Sequence, residues 1–391
     1  MKIGAIISNG IIIVLLFAFT SAVAQILSED PSRGGPLFVR KGCVKCHAVH
    51  DKGGRTGPDL GIIGLDTTQL ELAAELWNHT PTMLAGMEHE GIAKPTLTGQ
   101  EFTEITTYLY FLRFFDEAGD AGSGEYVFAQ KGCKSCHRVS GRDENGGPGL
   151  DEFPRNASPV YMSQAVWKHS RRMMARMLRI EKRWPTFSGN EMIDVLAYIK
   201  TRAKGPEEPY SFKPNPKEGR AVFTAKGCTK CHSVHGEGAK DGIDLGKRAE
   251  SYYTSLSQIA SGMWNKSPEM FLRASMQDEV PQFTAEEITD LLAYLYFLHY
   301  TDEPGDASRG KKIFSNIGCA QCHGLDGKRG TLMYVDLSKY WNSPPTEIVA
   351  NIWNHSIRMQ KATVEKGVPW PQLNKGEMAD LLEFIRTPVK K

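Results

Sequence analysis

The chain of 391 residues has almost no net charge, since 47 lysines and arginines oppose 45 aspartates and glutamates, a formal balance of +2. A balance so close to zero gives no case for electrostatic binding to nucleic acid. Beyond residue 24 the sequence has no apolar run of the roughly 20 residues that cross a bilayer. It also has no cysteine outside four copies of one short motif, which uses all eight cysteines.

That motif is Cys-x-x-Cys-His, the attachment pattern of c-type haem. Two thiols at this spacing reach the two vinyl groups on one porphyrin edge, and the adjacent histidine then gives a nitrogen to iron. The sequence therefore predicts four covalently attached haem c groups. The predicted haem-binding thiols are Cys43, Cys46, Cys133, Cys136, Cys228, Cys231, Cys319 and Cys322, and the predicted proximal iron ligands are His47, His137, His232 and His323.

Zinc binding and a disulfide framework are the two alternative uses of paired cysteines. Zinc sites usually combine two Cys-x-x-Cys halves and need no following histidine. A disulfide framework fits an even cysteine count in an oxidising compartment, but it gives no reason for a histidine after every second cysteine. The spacing therefore favours haem over both.

The N-terminus has the pattern of a secretory signal peptide, predicted over residues 1–24. Lys2 supplies a positive charge, an apolar run follows over residues 11–19, and Ala22-Val23-Ala24 is a small-x-small cleavage pattern. The apolar run is shorter than the roughly 20 residues of a membrane span, so an uncleaved anchor is the less favoured alternative. The mature protein is thus expected in the periplasm or at the cell exterior.

The haem motif recurs at intervals of 90, 95 and 91 residues, and a fixed period indicates repeated structural units. Each copy follows a Gly-x-x-x-Phe segment and is followed by an amphipathic terminal segment that has a proline ahead of it. Glycine and phenylalanine four apart share one helix face, so we expect the terminal helix to cross closely there. The glycines are Gly34, Gly124, Gly219 and Gly310, the terminal segments are 101–115, 190–201, 286–300 and 377–386, and the prolines are Pro95, Pro185, Pro281 and Pro371.

Two terminal helices with a haem motif just inside the first make each unit similar to class I cytochrome c. The resemblance covers nearly the whole mature chain and implies an all-α fold of four small tandem domains, each around one covalent haem. The predicted bounds are 25–118 for unit one, 119–205 for unit two, 206–303 for unit three and 304–391 for unit four. Near-identical linkers join units one and two and units three and four, whereas a proline-rich linker joins two and three. This favours two dihaem modules of consecutive units.

The second iron ligand is open between methionine and histidine. In class I cytochromes c a methionine stands beside the proline of the last loop, but none stands there in this sequence. A second repeated motif, Trp-x-x-x-x-x-Met, lies upstream inside a predicted helix. Its methionines, Met83, Met173, Met270 and Met359, occur in all four copies and are the favoured ligands. The rival ligands are His79, His169 and His355; copy three has Lys266 at this position. A third alternative is that the methionines only pack in the core. In copy two, Met174 could take the place of Met173 as ligand.

Three further features surround the haem motifs. The resemblance implies that the carbonyls of Pro58 and Pro148 accept a hydrogen bond from the proximal imidazole, with Ile243 and Val335 at the equivalent places. The motif tryptophans, Trp77, Trp167, Trp264 and Trp353, are expected to pack on haem, to donate to a propionate, or simply to fill the core. His50 and His235 are expected on the loop surface.

Unit two carries a basic cluster, Arg171, Arg172, Arg176, Arg179, Lys182 and Arg183. A solvated helix face explains it, and a docking patch for an acidic redox partner is the sharper alternative. No catalytic constellation accompanies the haem motifs. The sequence therefore predicts a respiratory electron carrier that works between redox partner proteins, and that is not an enzyme with a small-molecule substrate. A haem enzyme with one substrate-accessible iron and a subunit of a conductive filament remain the alternatives.

Overall fold

In the computed structural model the chain is almost entirely helical. The structure describes residues 30–388 except 64, 116–117, 141–146, 208–212, 248–254, 276–279 and 326–335. The predicted signal peptide lies outside the described residues. In the part described, each unit contributes a first helix, a long helix and a terminal helix, and this confirms the predicted all-α fold.

The helix bounds follow the repeat. Unit one contains α1 (Gly34–Arg40), α2 (Gln69–His89) and α3 (Gly99–Phe111); unit two contains α4 (Ala121–Gln130), α5 (Pro159–Arg179) and α6 (Glu191–Lys200). Unit three contains α7 (Pro216–Ala225), α8 (Leu256–Ser275) and α9 (Ala285–Leu298), with the short strands β1 (Ser233–Val234) and β2 (Glu237–Gly238) between α7 and α8. Unit four contains α10 (Ala307–Asn316), the single turn α11 (Cys319–Cys322), α12 (Pro345–Lys366) and α13 (Glu377–Arg386).

The first and terminal helices of every unit cross at the predicted glycine. A Cβ built on this glycine would lie 2.0 Å from Glu104 O in unit one, 1.9 Å from Asp194 O in unit two, 1.9 Å from Asp290 O in unit three and 2.0 Å from Asp380 O in unit four. Only a residue without a side chain allows backbones to approach so closely. The phenylalanine one turn later packs against the aromatic of the terminal helix, with ring centroids 5.5–6.5 Å apart.

The units pair across long distances in sequence through their tryptophans. The indole N–H of Trp77 in unit one donates to Pro371 O in unit four at 2.8 Å, and that of Trp353 in unit four donates to Pro95 O at 2.8 Å. Units two and three repeat the exchange: Trp167 donates to Pro281 O at 3.0 Å and Trp264 to Pro185 O at 2.6 Å. The expected dihaem modules of consecutive units are therefore wrong, because unit one pairs with four and unit two with three.

The residue at the end of each linker caps the first helix of the unit that follows. Asp120 and Asp306 are the N-caps of α4 and α10, and each accepts hydrogen bonds from backbone N–H groups of the first turn. The backbone N–H of each also donates to an aspartate on the terminal helix of its own unit, Asp194 at 2.8 Å and Asp380 at 2.7 Å. Asn215 in the dissimilar linker makes the same contacts, with its N–H donating to Asp290 at 2.8 Å, so the linker sequences carry no information on which units pair.

Units one and three share a core at the ends of their terminal helices. The rings of Tyr110 and Tyr300 stack with centroids 4.1 Å apart, and the hydroxyl of Tyr296 donates to Tyr110 O at 2.7 Å. Phe114, which is fully buried, meets Tyr296 edge-on at 5.1 Å. Polar contacts border this core, since Asp302 accepts hydrogen bonds from Thr68 Oγ1 and from the backbone N–H of Leu70 at the start of α2.

No helix among the described residues is both long enough and apolar enough to span a membrane.

The helix crossing gives a test with a matched control in the same helix. Gly124→Ala places a methyl group against Asp194 O, whereas Gly122→Ala meets only Asp120 Oδ1 at 3.4 Å. We expect Gly124→Ala to lower the free energy of unfolding by about 1–3 kcal/mol, as overpacking does. Gly122→Ala should leave it unchanged or raise it by up to about 1 kcal/mol, because alanine favours helix. Thermal unfolding of the haem-loaded protein measures both, and equal shifts would contradict the close crossing.

Candidate haem sites

Each pair of thiols follows a glycine in the left-handed region. Gly42, Gly132, Gly227 and Gly318 have φ of 80°, 74°, 77° and 94°, which favours glycine over residues with a side chain. The left-handed glycine follows the first helix and precedes a single helical turn that carries both cysteines. None of the eight cysteines forms a disulfide. Burial raises the pKa of the first thiol of each motif, Cys43, Cys133, Cys228 and Cys319, to about 11.

The imidazoles of three motif histidines, the predicted proximal ligands, are oriented by a backbone carbonyl. His47 Nδ1 lies 3.0 Å from Pro58 O, His137 Nδ1 lies 3.3 Å from Pro148 O, and in unit three His232 Nδ1 lies 3.0 Å from Ile243 O. The expected carbonyl contact is therefore confirmed in three units, with or without proline; Val335 lies outside the described residues. A donor bond at Nδ1 fixes the tautomer and leaves Nε2 as the ring nitrogen for iron.

A glycine that the sequence analysis did not single out lies against each of these three imidazoles. Cβ atoms built on Gly57, Gly147 and Gly242 would lie 2.4 Å from His47 Cε1, 2.9 Å from His137 Nδ1 and 2.7 Å from His232 Cε1. A side chain there would push the ring out of position. The sequence does contain a pattern that could have predicted this contact, because a glycine occurs ten residues after each of the three histidines.

An aspartate organises the loop after the motif in units one and three. Asp59 accepts hydrogen bonds from the backbone N–H groups of His50 and Asp51, at 3.1 and 2.7 Å, and Asp244 accepts equivalent bonds in unit three. His50 is exposed as expected. His235 is not, because it is half-buried and its Nε2 lies 2.6 Å from Thr301 Oγ1, so its expected surface position is wrong.

Cavities large enough for a cofactor lie beside two of the motifs. One of about 480 Å³ in unit four is lined by Cys319, His323, His355 and Met359, and one of about 530 Å³ in unit two by the corresponding residues. Both volumes fall in the range of roughly 300–1,000 Å³ typical of ligand sites. Two thiols and an oriented imidazole at the wall of such a cavity are the donor set of haem c, so these residues fit the group.

The cavities of units two and four are each lined by the motif histidine and by both candidates for the second iron ligand. The ring centroids of His137 and His169 are 5.5 Å apart, and those of His323 and His355 are 6.4 Å apart. Met173 and Met359 lie one helical turn further along the same face and line the same cavities. The pKa of His169 is lowered, mainly because the ring is buried and secondly because His137 lies next to it. The pKa of His355 is lowered for the same two reasons, with His323 as the neighbour.

Units one and three differ at the histidine position. His79 is exposed, and its Nδ1 lies 2.8 Å from Glu75 O of its own helix. Lys266 is also exposed and lies 3.9 Å from Glu269. The methionines of these two units, Met83 and Met270, are half-buried, as are those of units two and four. Of the two candidate positions for the second iron ligand, that of the methionine is half-buried in all four units, whereas that of the histidine is exposed in units one and three.

The motif tryptophans do not present their N–H groups to a propionate, and that expectation is wrong. All four indole N–H groups donate to the proline carbonyls of a paired unit, and Trp77, Trp264 and Trp353 are buried. Trp77 nevertheless lies at a haem site, because it and Pro371 both line the cavity of unit four. The sequence carried no local partner that could have revealed this contact.

Part of the basic cluster forms the rim of the unit-two cavity. Arg172, Arg176, Lys182 and Arg183 line it beside Cys136, and Lys182 Nζ donates to Ser135 Oγ inside the motif at 2.8 Å. Arg171, Arg172, Arg176 and Arg179 are exposed on α5. Positive charge is thus concentrated at the mouth of one haem site.

Comparison with known proteins identifies the family of the chain. The family model for cytochrome c matches three times in tandem, over residues 121–203, 216–298 and 307–388, which is more than half of the chain. The chain belongs to the cytochrome c family. With its repeated haem motifs it is a multihaem c-type cytochrome with tandem all-α domains, and its role is electron transfer.

Two curated relatives are similar over part of their length. Cbb3-type cytochrome c oxidase subunit CcoP of Helicobacter pylori is 21% identical over 192 residues, which cover 46% of this chain and 55% of the relative. The subunit of the same name from strain ATCC 700392 / 26695 is 23% identical over 190 residues, covering 46% and 56%. The chain thus spans about half the length of the curated relatives it matches. No solved structure matches it significantly.

Proposed function

We propose that this chain is an exported tetrahaem c-type cytochrome that carries electrons between respiratory redox partners. The observation that carries the proposal is the fourfold Cys-x-x-Cys-His motif, each copy of which follows a left-handed glycine at the end of a first helix. The proposed haem-binding residues are the eight cysteines. The four motif histidines are the proximal ligands, and Met83, Met173, Met270 and Met359 are the distal ligands.

The bound haem supplies one-electron chemistry, and the chain sets the conditions for it. The carbonyls of Pro58, Pro148 and Ile243 hold the proximal imidazoles in one tautomer. Thioether ligation raises the reduction potential relative to a second imidazole, which suits the oxidising part of a respiratory pathway. The long helix that carries each methionine is fixed by its tryptophan to another unit, so the distal wall is held from outside the unit.

The proposed partners are redox proteins, and a membrane-bound respiratory complex is among them because the curated relatives are subunits of a cbb3-type oxidase. The proposed signal peptide over residues 1–24 places the mature chain in the periplasm or at the cell exterior. We further propose that the basic rim of the unit-two cavity docks an acidic partner, since opposite charge speeds encounter between proteins.

Haem content tests the proposed function directly. We expect the mature protein to carry four covalent haems, measured by intact mass and by the pyridine haemochrome assay. All four should be reduced and reoxidised reversibly in a potentiometric titration. Cys133→Ala combined with Cys136→Ala should lower the count by one, because unit two then lacks both thiols. A count of three in the unaltered protein, or haem that cannot be reduced reversibly, would contradict the proposal.

Substitutions in unit four can distinguish ligation by methionine from ligation by histidine, because His355 and Met359 both line its cavity. We expect Met359→Ala to remove about a quarter of the far-red ferric methionine–iron absorption band and to change the potential of one haem. His355→Ala should leave the band intact. Loss of a histidine-type spectrum in His355→Ala, with no change in Met359→Ala, would reverse the assignment.

Charge reversal tests the docking rim. We expect Arg172→Glu with Arg176→Glu to slow oxidation of the reduced protein by anionic ferricyanide by about tenfold at low ionic strength, and to speed oxidation by a cationic cobalt phenanthroline complex. Lys311→Glu with Lys312→Glu changes the net charge equally on the exposed face of α10 and should have a smaller effect. Identical effects of both double variants, or rates independent of salt, would remove the rim as a docking site.

A further inference from the structure

The haem-binding units follow one another in space in an order that differs from their order in the sequence. Units one and four are joined on both sides of their contact. Asn78 in unit one donates to Leu373 O at 2.8 Å and accepts from Leu373 N at 2.9 Å, and Asn354 in unit four makes the same pair of bonds with Leu97. Stacking of Trp77 on Trp370, with centroids 4.1 Å apart, adds to this contact.

Units two and three are joined in the same manner. Asn265 in unit three donates to Phe187 O at 2.7 Å and accepts from Phe187 N at 2.8 Å, and Trp184 packs on Trp264 with centroids 4.3 Å apart. On the other side of the contact, Trp167 packs between Phe271 and Phe283 at 5.0 and 5.5 Å. These repeated contacts define two reciprocal pairs.

Both pair contacts reach the walls of haem cavities. In unit four the cavity is lined by Pro371 and by Trp77 of unit one, which are hydrogen-bonded to each other. In unit two the cavity is lined by Pro185, whose carbonyl accepts the indole N–H of Trp264 from unit three. Within each pair, a tryptophan of one unit therefore contacts the wall of the partner's haem site.

The two pairs are joined by hydrogen bonds and ring contacts between unit one and unit three. Their joint is the aromatic core of Tyr110, Phe114, Tyr296 and Tyr300. This core is part of one larger apolar cluster that runs through units one and three, and Cys43 of unit one and Cys228 of unit three both pack against that larger cluster. A hydrogen bond supports the joint, since Nε2 of the buried His299 lies 3.0 Å from Asp66 Oδ1.

We infer that the four haem sites are coupled in the spatial order two–three–one–four, with two and three, and one and four, as the tightly coupled pairs. Units two and four are then the two ends of the series, and unit one, first in the sequence, is internal. The inference rests on the proposed function in that it requires all four haems. The unit that carries the basic rim, unit two, is therefore one end of the series.

Removal of one haem at a time tests the order. Magnetic coupling between the ferric haems is measured by pulsed electron paramagnetic resonance in full-length protein. In Cys133→Ala with Cys136→Ala, haem two is absent; the spatial order predicts that haem one stays coupled to haems three and four. An order that follows the sequence predicts instead that haem one loses its only neighbour. This variant decides the question even if unit two unfolds, because the contacts among units three, one and four do not involve it.

The reciprocal variant is Cys43→Ala with Cys46→Ala, which removes haem one. The spatial order predicts that haem four loses its coupling while haems two and three keep theirs. Coupling between haems three and four in this variant, or an uncoupled haem one in the first, would overturn the inference. A carbodiimide cross-link between Glu71 and Lys375, whose charged atoms lie 3.6 Å apart, is expected in the unaltered protein. Failure of the proposed function would show separately, as a haem count below four or irreversible reduction.

Discussion

The close crossing of first and terminal helices at a glycine is the constraint on which the rest of each unit depends. In all four units a Cβ at this point would overlap a backbone carbonyl of the terminal helix, at about 2 Å. The crossing fixes how the first helix lies on the terminal helix, and the left-handed glycine that follows the first helix turns the chain into the cysteine-bearing turn. The terminal helix follows the proline whose carbonyl receives the tryptophan of another unit. The helix crossing therefore joins the element that leads into the haem motif to the element that follows the pair contact.

That dependence explains how four similar units form a specific assembly. A buried indole N–H must find an acceptor, because leaving it unpaired costs about 1–3 kcal/mol. Within each unit the backbone of the long helix bonds to itself, so the acceptor is a carbonyl outside the helix. The proline loop offers one, since the four accepting prolines lie outside the helices and their carbonyls take no part in a helical hydrogen-bond ladder. Each unit carries both the donor and the acceptor, and two units satisfy both by facing each other.

The local features could be predicted from the sequence, and the long-range ones could not. Spacing predicted the crossing at Gly124, and the resemblance to class I cytochrome c implied the carbonyl contact of His137. Both contacts lie within one repeat. The linker similarity misled, since Asp120 and Asp306 serve helix capping inside their own units and carry no information on neighbours. Trp77 and Pro371 are 294 residues apart. Every repeat has an equivalent tryptophan and proline, so the sequence does not specify which copies meet.

Differences among the repeats make the two pairs unequal. Between units one and four, asparagine amides bond on both sides, and Lys94 donates to Trp353 O while its charge lies 4.3 Å from the Trp353 ring. Between units two and three, the positions equivalent to an asparagine and to Lys94 hold Lys168, which is exposed, and Val280, which has no polar side-chain atom. Each missing bond removes about 0.5–1.5 kcal/mol, and aromatic packing of Trp167 replaces part of it. The pair that contains the basic rim is therefore held more by apolar contact, and the pair at the opposite end of the series more by hydrogen bonds.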